Sequence, residues 1–333
     1  MNKKLAIYGP YPPPIGGVSV HIKRMVPYLD EANIDYTIFN FGFKNTKNVV
    51  ATKKSIFWYP KIFLSKKYEL FHFHQIFFFE YFFYFLFSFV YGRKIILSIH
   101  AERVLFYSSI KKKIVLFLLK NTQKLQVVSV SKNLDDFFIS KNINSVFLPA
   151  YVPPSSISCE IIEKDNRTYF LFSVWKLTKK LSEETYNIPL AFQFLKNHKD
   201  KFKMILMIGS EGISDLDYLR KLINEYSIEN DVEIIFDKNL VDYLQNGSFL
   251  LKTNKVDGYG VALQEAMDLG IPAIATDVCI RPKGTVLFKD NDINDLTNKI
   301  NDTLNKPTQD ILKDKEDLKY HLKLIEIYKQ SLN

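Results

Sequence analysis

Short apolar runs alternate with longer helical segments along the chain, and the alternation restarts once. The runs of the first series are residues 4–8, 35–39, 70–73, 94–99, 125–130 and 146–148. Those of the second series are residues 169–174, 204–208, 232–236, 249–251, 272–275 and 285–288. Strands separated by helices of this length form right-handed βαβ units, so each series predicts its own parallel sheet.

A proline-rich stretch, residues 149–156, separates the two series and indicates an interdomain linker. A chain of 333 residues is long enough for two domains that each bury a core. We therefore expect an α/β protein, and its predicted parts are a first domain over residues 1–150, a linker over 151–166, a second domain over 167–310 and a closing helix over 311–333. The clearest helical patterns are residues 18–29, 183–196, 218–226, 260–269 and 313–332.

Positive charge is concentrated in the first half of the chain. Residues 1–150 hold 21 Lys and Arg against 8 Asp and Glu, whereas residues 151–333 hold 24 against 28. A basic half of this kind indicates an anionic partner, namely membrane lipid, a phosphorylated substrate or nucleic acid. A surface whose lysines only keep the protein in solution is the alternative that this pattern leaves open.

An aromatic segment and a basic segment lie within this half. Residues 76–91 are apolar apart from Glu80 and Ser88, but they are fewer than the ~20 residues that span a membrane. We expect a helix of the first domain that is covered on both sides, by protein or by lipid. Lysines 111–113 lead into a second apolar segment, residues 114–119. The two segments predict peripheral contact with an anionic membrane, and ordinary crossover helices packed on the sheet are the alternative.

The first strand is followed by prolines and then by a glycine pair, Gly16 and Gly17, that opens a helix. Glycines lack Cβ atoms and let backbone N–H groups approach a ligand, and the start of a helix favours anions. The spacing is not G-x-G-x-x-G, so a dinucleotide fingerprint is absent. A plain tight turn accounts for the two glycines equally well.

Three histidines end two successive strands of the first series: His72 and His74 end one, and His100 ends the next. Ligands of open α/β sheets bind at the carboxyl ends of strands, so we expect His100 to contact a ligand. His74 fits a ligand contact and a structural role equally well, and His72 is interpreted as structural. A metal site is disfavoured because no Cys or Asp completes a ligand set. The D-x-D patterns at residues 215–217 and 290–292 are interpreted as a helix start and a loop.

The most specific stretch runs over residues 257–277. Asp257 precedes a Gly-Tyr-Gly turn, residues 258–260, and Val261 opens a helix whose first amides can hold phosphate oxygens. Glu265 follows eight residues after Asp257, so both carboxylates can face one ligand. Carboxylates accept paired hydroxyl hydrogens, and a sensible division places one near a sugar and the other on a ribose diol.

This stretch resembles the E-x7-E signature of the retaining glycosyltransferases of family 4, which have the GT-B fold. The resemblance extends over nearly the whole chain, because further segments occur in the family's order and spacing: residues 16–21, 98–100, 129–131 and 148–149. The later segments 276–277, 281–284 and 292–296 are similar to a subgroup that builds bacterial surface polysaccharides. Each segment is weakly specific by itself, whereas their joint order is specific.

The resemblance implies two Rossmann-like domains, each a parallel sheet with flanking helices, that face each other across a cleft. The first domain would bind the acceptor and the second a UDP- or GDP-linked sugar. The residues implied for the donor are Gly16, Gly17, Lys176, Lys180, Gly258, Tyr259, Gly260, Val261 and Glu265. The acceptor would meet Ser19 and His74. The catalytic residues would be His100, Asp257 and Glu265, with no cofactor and no metal ion.

The family is thought to retain anomeric configuration by front-face attack, with the leaving phosphate as base, so that protein groups stabilise charge and orient the reactants. Asp257 stands where the family usually has Glu. Lys176 stands where it has Arg, and Lys180 falls one residue short of its usual Lys. Lysine neutralises phosphate but lacks the bidentate geometry of arginine. Lys252 and Arg281 are further cations near the signature.

The sequence thus predicts a retaining glycosyltransferase of the hexosyltransferase type. It would act on a glycan or lipid-linked acceptor in bacterial surface polysaccharide synthesis, of capsule or lipopolysaccharide. A catalytically silent sugar-nucleotide or glycan-binding module of the same fold is the alternative. A nicotinamide-dependent oxidoreductase is disfavoured because the glycine fingerprint is absent. Nucleic-acid binding is disfavoured because the basic residues accompany aliphatic helices.

Two sequence features bear on the compartment. Cys159 and Cys279 lie far apart and predict neither a disulfide framework nor a metal knuckle. The first residues enter a strand directly, without the long apolar core of a signal peptide. We therefore expect reduced thiols and a cytoplasmic protein, with peripheral contact at the cytoplasmic face of the inner membrane.

Overall fold

The computed structural model describes residues 4–13, 15–40, 47–52, 64–75, 78–100, 102–317 and 319–332. Among them, residues up to 152 and from 319 onward form a first unit, and residues 153–317 with residues 15–16 form a second. Each unit is built around one parallel sheet, which confirms the predicted α/β fold with two parallel sheets.

The strands of the first unit are β1 (Lys4–Tyr8), β2 (Tyr36–Asn40), β3 (Val49–Ala51), β4 (Tyr68–Gln75), β5 (Lys94–Ile99), β6 (Leu125–Ser129) and β7 (Ser145–Phe147). They lie in the order β3-β2-β1-β4-β5-β6-β7, and all the pairs are parallel. The sequence analysis did not predict β3.

The strands of the second unit are β8 (Thr168–Val174), β9 (Phe202–Ile208), β10 (Val232–Phe236), β11 (Phe249–Lys252), β12 (Ala273–Thr276) and β13 (Val286–Phe288). Their order is β10-β9-β8-β11-β12-β13, again with parallel pairs only. The order reverses beside β8, so the crevice at the carboxyl ends of β8 and β11 is the expected ligand position.

The longer helices are α1 (Gly17–Glu31), α2 (Glu80–Tyr91), α3 (Ser109–Asn121), α4 (Lys132–Ile139), α5 (Ile188–Asn197), α6 (Leu216–Tyr226), α7 (Val261–Asp268), α8 (Ile293–Leu304), α9 (Thr308–Leu312) and α10 (Tyr320–Leu332). Within the described ranges, none has the length and apolar character that crossing a membrane requires.

Each sheet is buried on both faces, as parallel sheets require. In β1, Leu5 and Ile7 face one core and Ala6 and Tyr8 the other, because successive strand residues alternate in direction. The helices α1 and α10 cover the face of Leu5 and Ile7, whereas α2 and α3 cover the other face. The last helix of the chain therefore completes the core of the first unit.

Three predictions of helices differ from the structure. A single helix over residues 183–196 is wrong: a π-helical turn, Ser182–Tyr186, ends at Asn187, which has a φ of 50°. The helix α5 then starts with Pro189 in its first turn, where proline is well tolerated. The pattern at 313–332 is helical only from Tyr320. The helix predicted over 76–91 begins at Glu80, and residues 76–77 lie outside the described ranges.

Both D-x-D patterns belong to helix starts. Asp215 accepts a hydrogen bond from the Tyr218 amide at 3.0 Å and caps α6. Asp292 accepts from the amides of Asn294 and Asp295, each at 3.0 Å, and caps α8, where the sequence predicted a loop. These carboxylates satisfy the first amides of their helices and have the structural role that was predicted.

Candidate functional site

A glycine turn at the start of α7 forms the centre of the candidate site in the second unit. The turn, residues 257–260, follows β11 and ends at Gly260, whose φ is 87°. A Cβ atom on Gly260 would lie 2.7 Å from Leu263 Cδ1 and 3.0 Å from Arg281 Nη1, so only glycine fits there. Among the described residues, no side chain caps the start of α7. The helix follows β11 along the chain, and a helix start after a strand of a parallel sheet can bind an anion.

Asp257, the first residue of the turn, is held by two cations. Its carboxylate forms an ion pair with Arg281 and lies 3.3 Å from Lys252 Nζ. It also accepts a hydrogen bond of 2.9 Å from the Gly258 amide. Burial alone would raise the pKa of Asp257, but the charges of Lys252 and Arg281 and the hydrogen bonds together lower it below its usual value. The carboxylate is therefore ionised at neutral pH.

Arg281 acts from beneath the turn. Its side chain is 1% exposed, compared with 15% for Lys252 and 18% for Asp257. The guanidinium donates from Nε to the Thr276 carbonyl at 3.1 Å and from Nη2 to the Thr276 hydroxyl at 3.2 Å. These bonds tie the end of β12 to the turn. The sequence named Arg281 only as a nearby cation, because a partner 24 positions away is not visible without the fold.

Glu265 lies in the second turn of α7 and is 8% exposed. Tyr259 is similarly buried. Because Asp257 precedes the helix, only the last four steps between the two carboxylates, from Val261 to Glu265, are helical. The two acidic side chains therefore belong to one continuous element, a turn and the helix that it starts.

The two lysines predicted to hold phosphate lie near the end of β8. Lys176 Nζ lies 5.0 Å from the ring centroid of Trp175, an exposed aromatic side chain. Lys180 is 79% exposed, and its ammonium lies 3.8 Å from Glu184. Lys176 thus follows the central strand directly, whereas Lys180 belongs to the exposed face of the following helical turn.

The candidate site of the first unit is a group of four histidines: His21, His72, His74 and His100. His74 Nδ1 lies 2.7 Å from His100 Nε2, and the His21 ring centroid is 5.5 Å from that of His74 and 5.9 Å from that of His100. His72 is fully buried between the Tyr328 hydroxyl and the Ser98 hydroxyl. The sequence missed His21, because it lies inside α1 and only the fold brings it to the strand ends.

The four imidazoles are neutral at pH 7. Burial lowers the pKa of His21 to about 4 and that of His100 to about 3, and it holds the pKa values of His72 and His74 well below the usual value. The Ala150 carbonyl lies 3.0 Å from His21 Nδ1, which must donate because a carbonyl only accepts. The group can therefore offer neutral donors and acceptors to a ligand.

Acidification is expected to destabilise the chain. The unfolded state takes up protons as the pH falls through about 6.5, the ordinary histidine value, whereas the folded state does not until about pH 4. Stability is therefore present above 6.5 and declines below it, by about 1 kcal/mol per histidine between pH 7.5 and 5.5. Urea unfolding across that range measures the slope. His21→Asn is expected to reduce it, whereas His198→Asn, outside the group, should reduce it less, and equal slopes would contradict the assignment.

The glycine loop of the first unit leads into α1. An added Cβ on Gly17 would meet no atom of the described chain within 4 Å, so packing does not require a glycine there. Ser19 is buried in the first turns of α1, with 3% exposure. Gly9, at the end of β1, is crowded instead: its Cβ would lie 2.6 Å from Ile22 Cδ1.

Among the described residues, no group of three or more His, Cys, Asp and Glu side chains could hold a metal ion. Cys159 is exposed and Cys279 half-buried, and neither forms a disulfide within the described residues.

The chain is similar to known proteins in sequence and in fold. Residues 163–323 match the family described as glycosyl transferases group 1. No curated protein matches the chain in sequence. Anabaena HepE in complex with UDP-glucose is similar over 98% of this chain and 99% of its own, with a TM-score of 0.74 and 13% identity.

Two further solved structures show the same likeness. The sucrose-phosphate synthase of Thermosynechococcus elongatus has a TM-score of 0.75 and 13% identity, over 98% of each chain. WaaG, a glycosyltransferase involved in lipopolysaccharide biosynthesis, has a TM-score of 0.68 and 11% identity, over 97% of this chain and 98% of its own. At these identities the likeness shows a shared fold, the two-sheet GT-B fold.

Proposed function

We propose that the chain moves a sugar from a nucleotide sugar to a glycan or lipid-linked acceptor. The premise is that it belongs, through residues 163–323, to the glycosyl transferases of group 1. The finer parts of the proposal are a UDP- or GDP-linked donor, retention of configuration as in family 4, independence of a metal ion, and a cytoplasmic role in bacterial surface polysaccharide synthesis. HepE was solved with UDP-glucose, and WaaG is involved in lipopolysaccharide biosynthesis. These neighbours support the donor class and the role.

The observation that carries the proposal is the start of α7, which no side chain of the described residues caps, beside the carboxylates of Asp257 and Glu265. The amides after Gly260 would hold the diphosphate, because a helix start favours anions. Glu265, four residues into the helix, would accept the hydroxyl hydrogens of the ribose. Lys176, at the end of the neighbouring strand, and Lys252, beside the turn, would offset phosphate charge.

Asp257 would contact the transferred sugar. Its carboxylate has accepting capacity beyond the bonds from Arg281, Lys252 and Gly258, since two carboxylate oxygens together accept about four hydrogen bonds. Its ionised state, maintained by the two cations, suits the stabilisation of positive charge that develops at the anomeric carbon. The shorter side chain, compared with glutamate, is compensated by a position that Arg281 fixes.

The first unit would supply the acceptor side. His100 and His74, as neutral imidazoles, can orient acceptor or sugar hydroxyls without a charge that would compete with the phosphates. Gly17 would let the donor approach the start of α1. In the transfer, the bond from the anomeric carbon to the phosphate oxygen breaks, the acceptor oxygen forms the new bond on the same face, and the leaving phosphate takes the acceptor proton.

Nucleotide binding tests the proposal first. Thermal unfolding is measured with UDP, GDP, ADP and CMP and with their sugar conjugates. One nucleotide family is expected to raise the midpoint by several degrees, because a ligand at a hundred times its Kd adds about 2.7 kcal/mol to the native state. Glu265→Gln is expected to lose the shift. Glu225→Gln, an exposed acid of α6 in the same unit, should keep it.

Three outcomes separate the readings of the site. A shift that Glu265→Gln abolishes, followed by sugar transfer to an added glycan or lipid-linked acceptor with retained anomeric configuration, supports the full proposal. A shift without any transfer or hydrolysis of the nucleotide sugar favours the silent binding module. A folded chain that responds to no nucleotide contradicts the donor site.

A further inference from the structure

The helix α2 buries its polar side chains and leaves several apolar side chains exposed. Apart from tyrosines, its polar residues are Glu80 and Ser88, which are 2% and 0% exposed. The Ser88 hydroxyl donates to the Gln123 carbonyl, and Glu80 accepts from the Tyr84 hydroxyl at 3.2 Å. Phe82 and Phe89 are exposed by 54% and 61%. A helix between a sheet and water carries the opposite pattern, so α2 is not built to face water.

The neighbouring helix α3 also exposes apolar side chains. It packs against α2 and buries Val115, Leu118 and Leu119 toward the sheet. On the opposite side, Ile110, Ile114 and Phe117 are exposed, and their spacing of four and three residues places them on one helical face. The two helices therefore pack on the sheet, and both also present apolar side chains on the side that the sheet does not cover.

We call this surface the outer face of α2 and α3. Its apolar residues are Phe82, Leu86, Phe89, Ile110, Ile114 and Phe117. Several exposed apolar side chains on two helices that pack together mark an interaction site in a folded protein. Single exposed apolar residues need no explanation, but six on two adjacent helices do.

Positive charge surrounds the outer face. The segment from residue 79 to residue 126 holds eight Lys and Arg against two Glu. Glu80 is buried, and Glu102 accepts a hydrogen bond of 2.7 Å from the Ser131 hydroxyl. Lys111, Lys113 and Lys120 are exposed on α3 among its apolar residues. The face is therefore apolar and cationic. Among residues 79–100 and 102–126 no acidic side chain is exposed, because Glu80 is buried and Glu102 is half-buried.

The geometry points to an anionic lipid bilayer as the partner of the outer face. Twelve and thirteen residues give helices of roughly 18–20 Å, too short to span the ~30 Å hydrocarbon core but suited to lying in its interfacial plane. A second copy of the chain fits less well. A two-fold interface opposes each surface to itself and would bring the lysines together. Anionic headgroups neutralise those lysines, while the acyl boundary takes up the aromatic side chains.

The outer face gives the proposed enzyme a route to a lipid-linked acceptor, and only this consequence rests on the proposed function. Lipid binding itself follows from the first unit and needs no donor. The two proposals therefore fail independently.

Vesicle sedimentation tests the inference, with phosphatidylcholine vesicles and with the same vesicles containing phosphatidylglycerol. The full chain is expected to bind the second kind and not the first. Lys111→Ser/Lys113→Ser/Lys120→Ser should weaken binding by on the order of a hundredfold, since each near-surface lysine contributes about fivefold. Ile110→Ser/Phe117→Ser should weaken binding by at least about tenfold, because both side chains leave water on the membrane.

Matched exposed positions in the second unit provide the controls. Lys221→Ser/Lys306→Ser and Ile161→Ser/Leu304→Ser change the same residue types and should bind as the unchanged chain does. Glu265→Gln, which tests the donor site, should also bind vesicles unchanged. Binding that is absent, indifferent to phosphatidylglycerol or insensitive to the outer-face variants overturns the inference. A dimer in sedimentation velocity that Ile110→Ser/Phe117→Ser dissociates, without vesicle binding, overturns it in favour of self-association.

Discussion

Replacing Arg281 by methionine is expected to lower the free energy of unfolding by about 3 kcal/mol, the lower end of the range for breaking a buried ion pair. Asp257, whose side chain is 18% exposed, would keep only Lys252, at 3.3 Å, to balance its charge. The bonds to the Thr276 carbonyl and hydroxyl would be lost with the guanidinium. Urea unfolding of the second unit measures the loss. Because the turn before α7 depends on these contacts, nucleotide binding should weaken as well.

An exposed pair of the same chemistry provides the control. Arg220 lies 3.0 Å from Asp217, but the two side chains are 73% and 94% exposed. Arg220→Met should change stability by at most about 0.5 kcal/mol, because exposed ion pairs contribute little. Equal losses from both variants would show that Arg281 acts as an ordinary surface charge.

A second readout separates electrostatics from simple structural damage. The charges of Lys252 and Arg281 lower the pKa of Asp257, so removing one of them should raise that pKa. The acid limb of the pH–activity profile would then move to higher pH in Arg281→Met. Arg281→Lys keeps a positive charge but loses the paired hydrogen bonds of the guanidinium. Its acid limb should therefore move less than that of Arg281→Met, while its stability stays below that of the unchanged chain. A lower rate with an unmoved acid limb would contradict the role assigned to Asp257.

The strands were predictable because each is a largely apolar run between helical patterns. The predicted bounds of β5 and β10 match the structure residue for residue: Arg93 and His100 flank the first run, and Asp231 and Asp237 flank the second. The helix over residues 183–196 was not predictable in one piece. Its pattern continues through Asn187, but asparagine tolerates a positive φ, and the side-chain pattern does not reveal which conformation the backbone takes. The unit to which α10 belongs was equally hidden, because an amphipathic helix does not specify its partner.

In the candidate site too, features that are local in sequence were predictable and contacts between distant segments were not. The turn at 257–260 and Glu265 are close in the chain, so their local spacing carries the signal. The hold of Arg281 on Asp257 and the joining of His21 to the other histidines depend on contacts between distant segments. Those contacts decide charge state and exposure, which residue spacing does not encode. The sequence therefore predicted which residues belong to the site, but not which of them form ion pairs or hydrogen bonds with distant residues.

Gly17→Ala is expected to leave stability unchanged or raised by up to about 1 kcal/mol, while sugar transfer falls by about two orders of magnitude. The gain in stability follows from the better helix propensity of alanine at the start of α1, where the added methyl meets nothing in the described chain within 4 Å. The loss of transfer follows from the same open space, because in the proposed function the donor approaches the backbone there. Urea unfolding and the initial rate of transfer measure the two effects separately.

Gly9→Ala is the control for Gly17→Ala, because it is expected to lower stability. Its methyl would lie 2.6 Å from Ile22 Cδ1 and 3.2 Å from His74 Cβ, so stability should fall by about 1–3 kcal/mol through overpacking. If Gly17→Ala keeps full activity, the glycine belongs to a plain tight turn, and the donor does not approach this loop. If it loses stability like Gly9→Ala, the residue is structural. Only unchanged stability with lost transfer identifies Gly17 as part of the binding surface, because a methyl that disturbs nothing in the protein must then collide with the substrate.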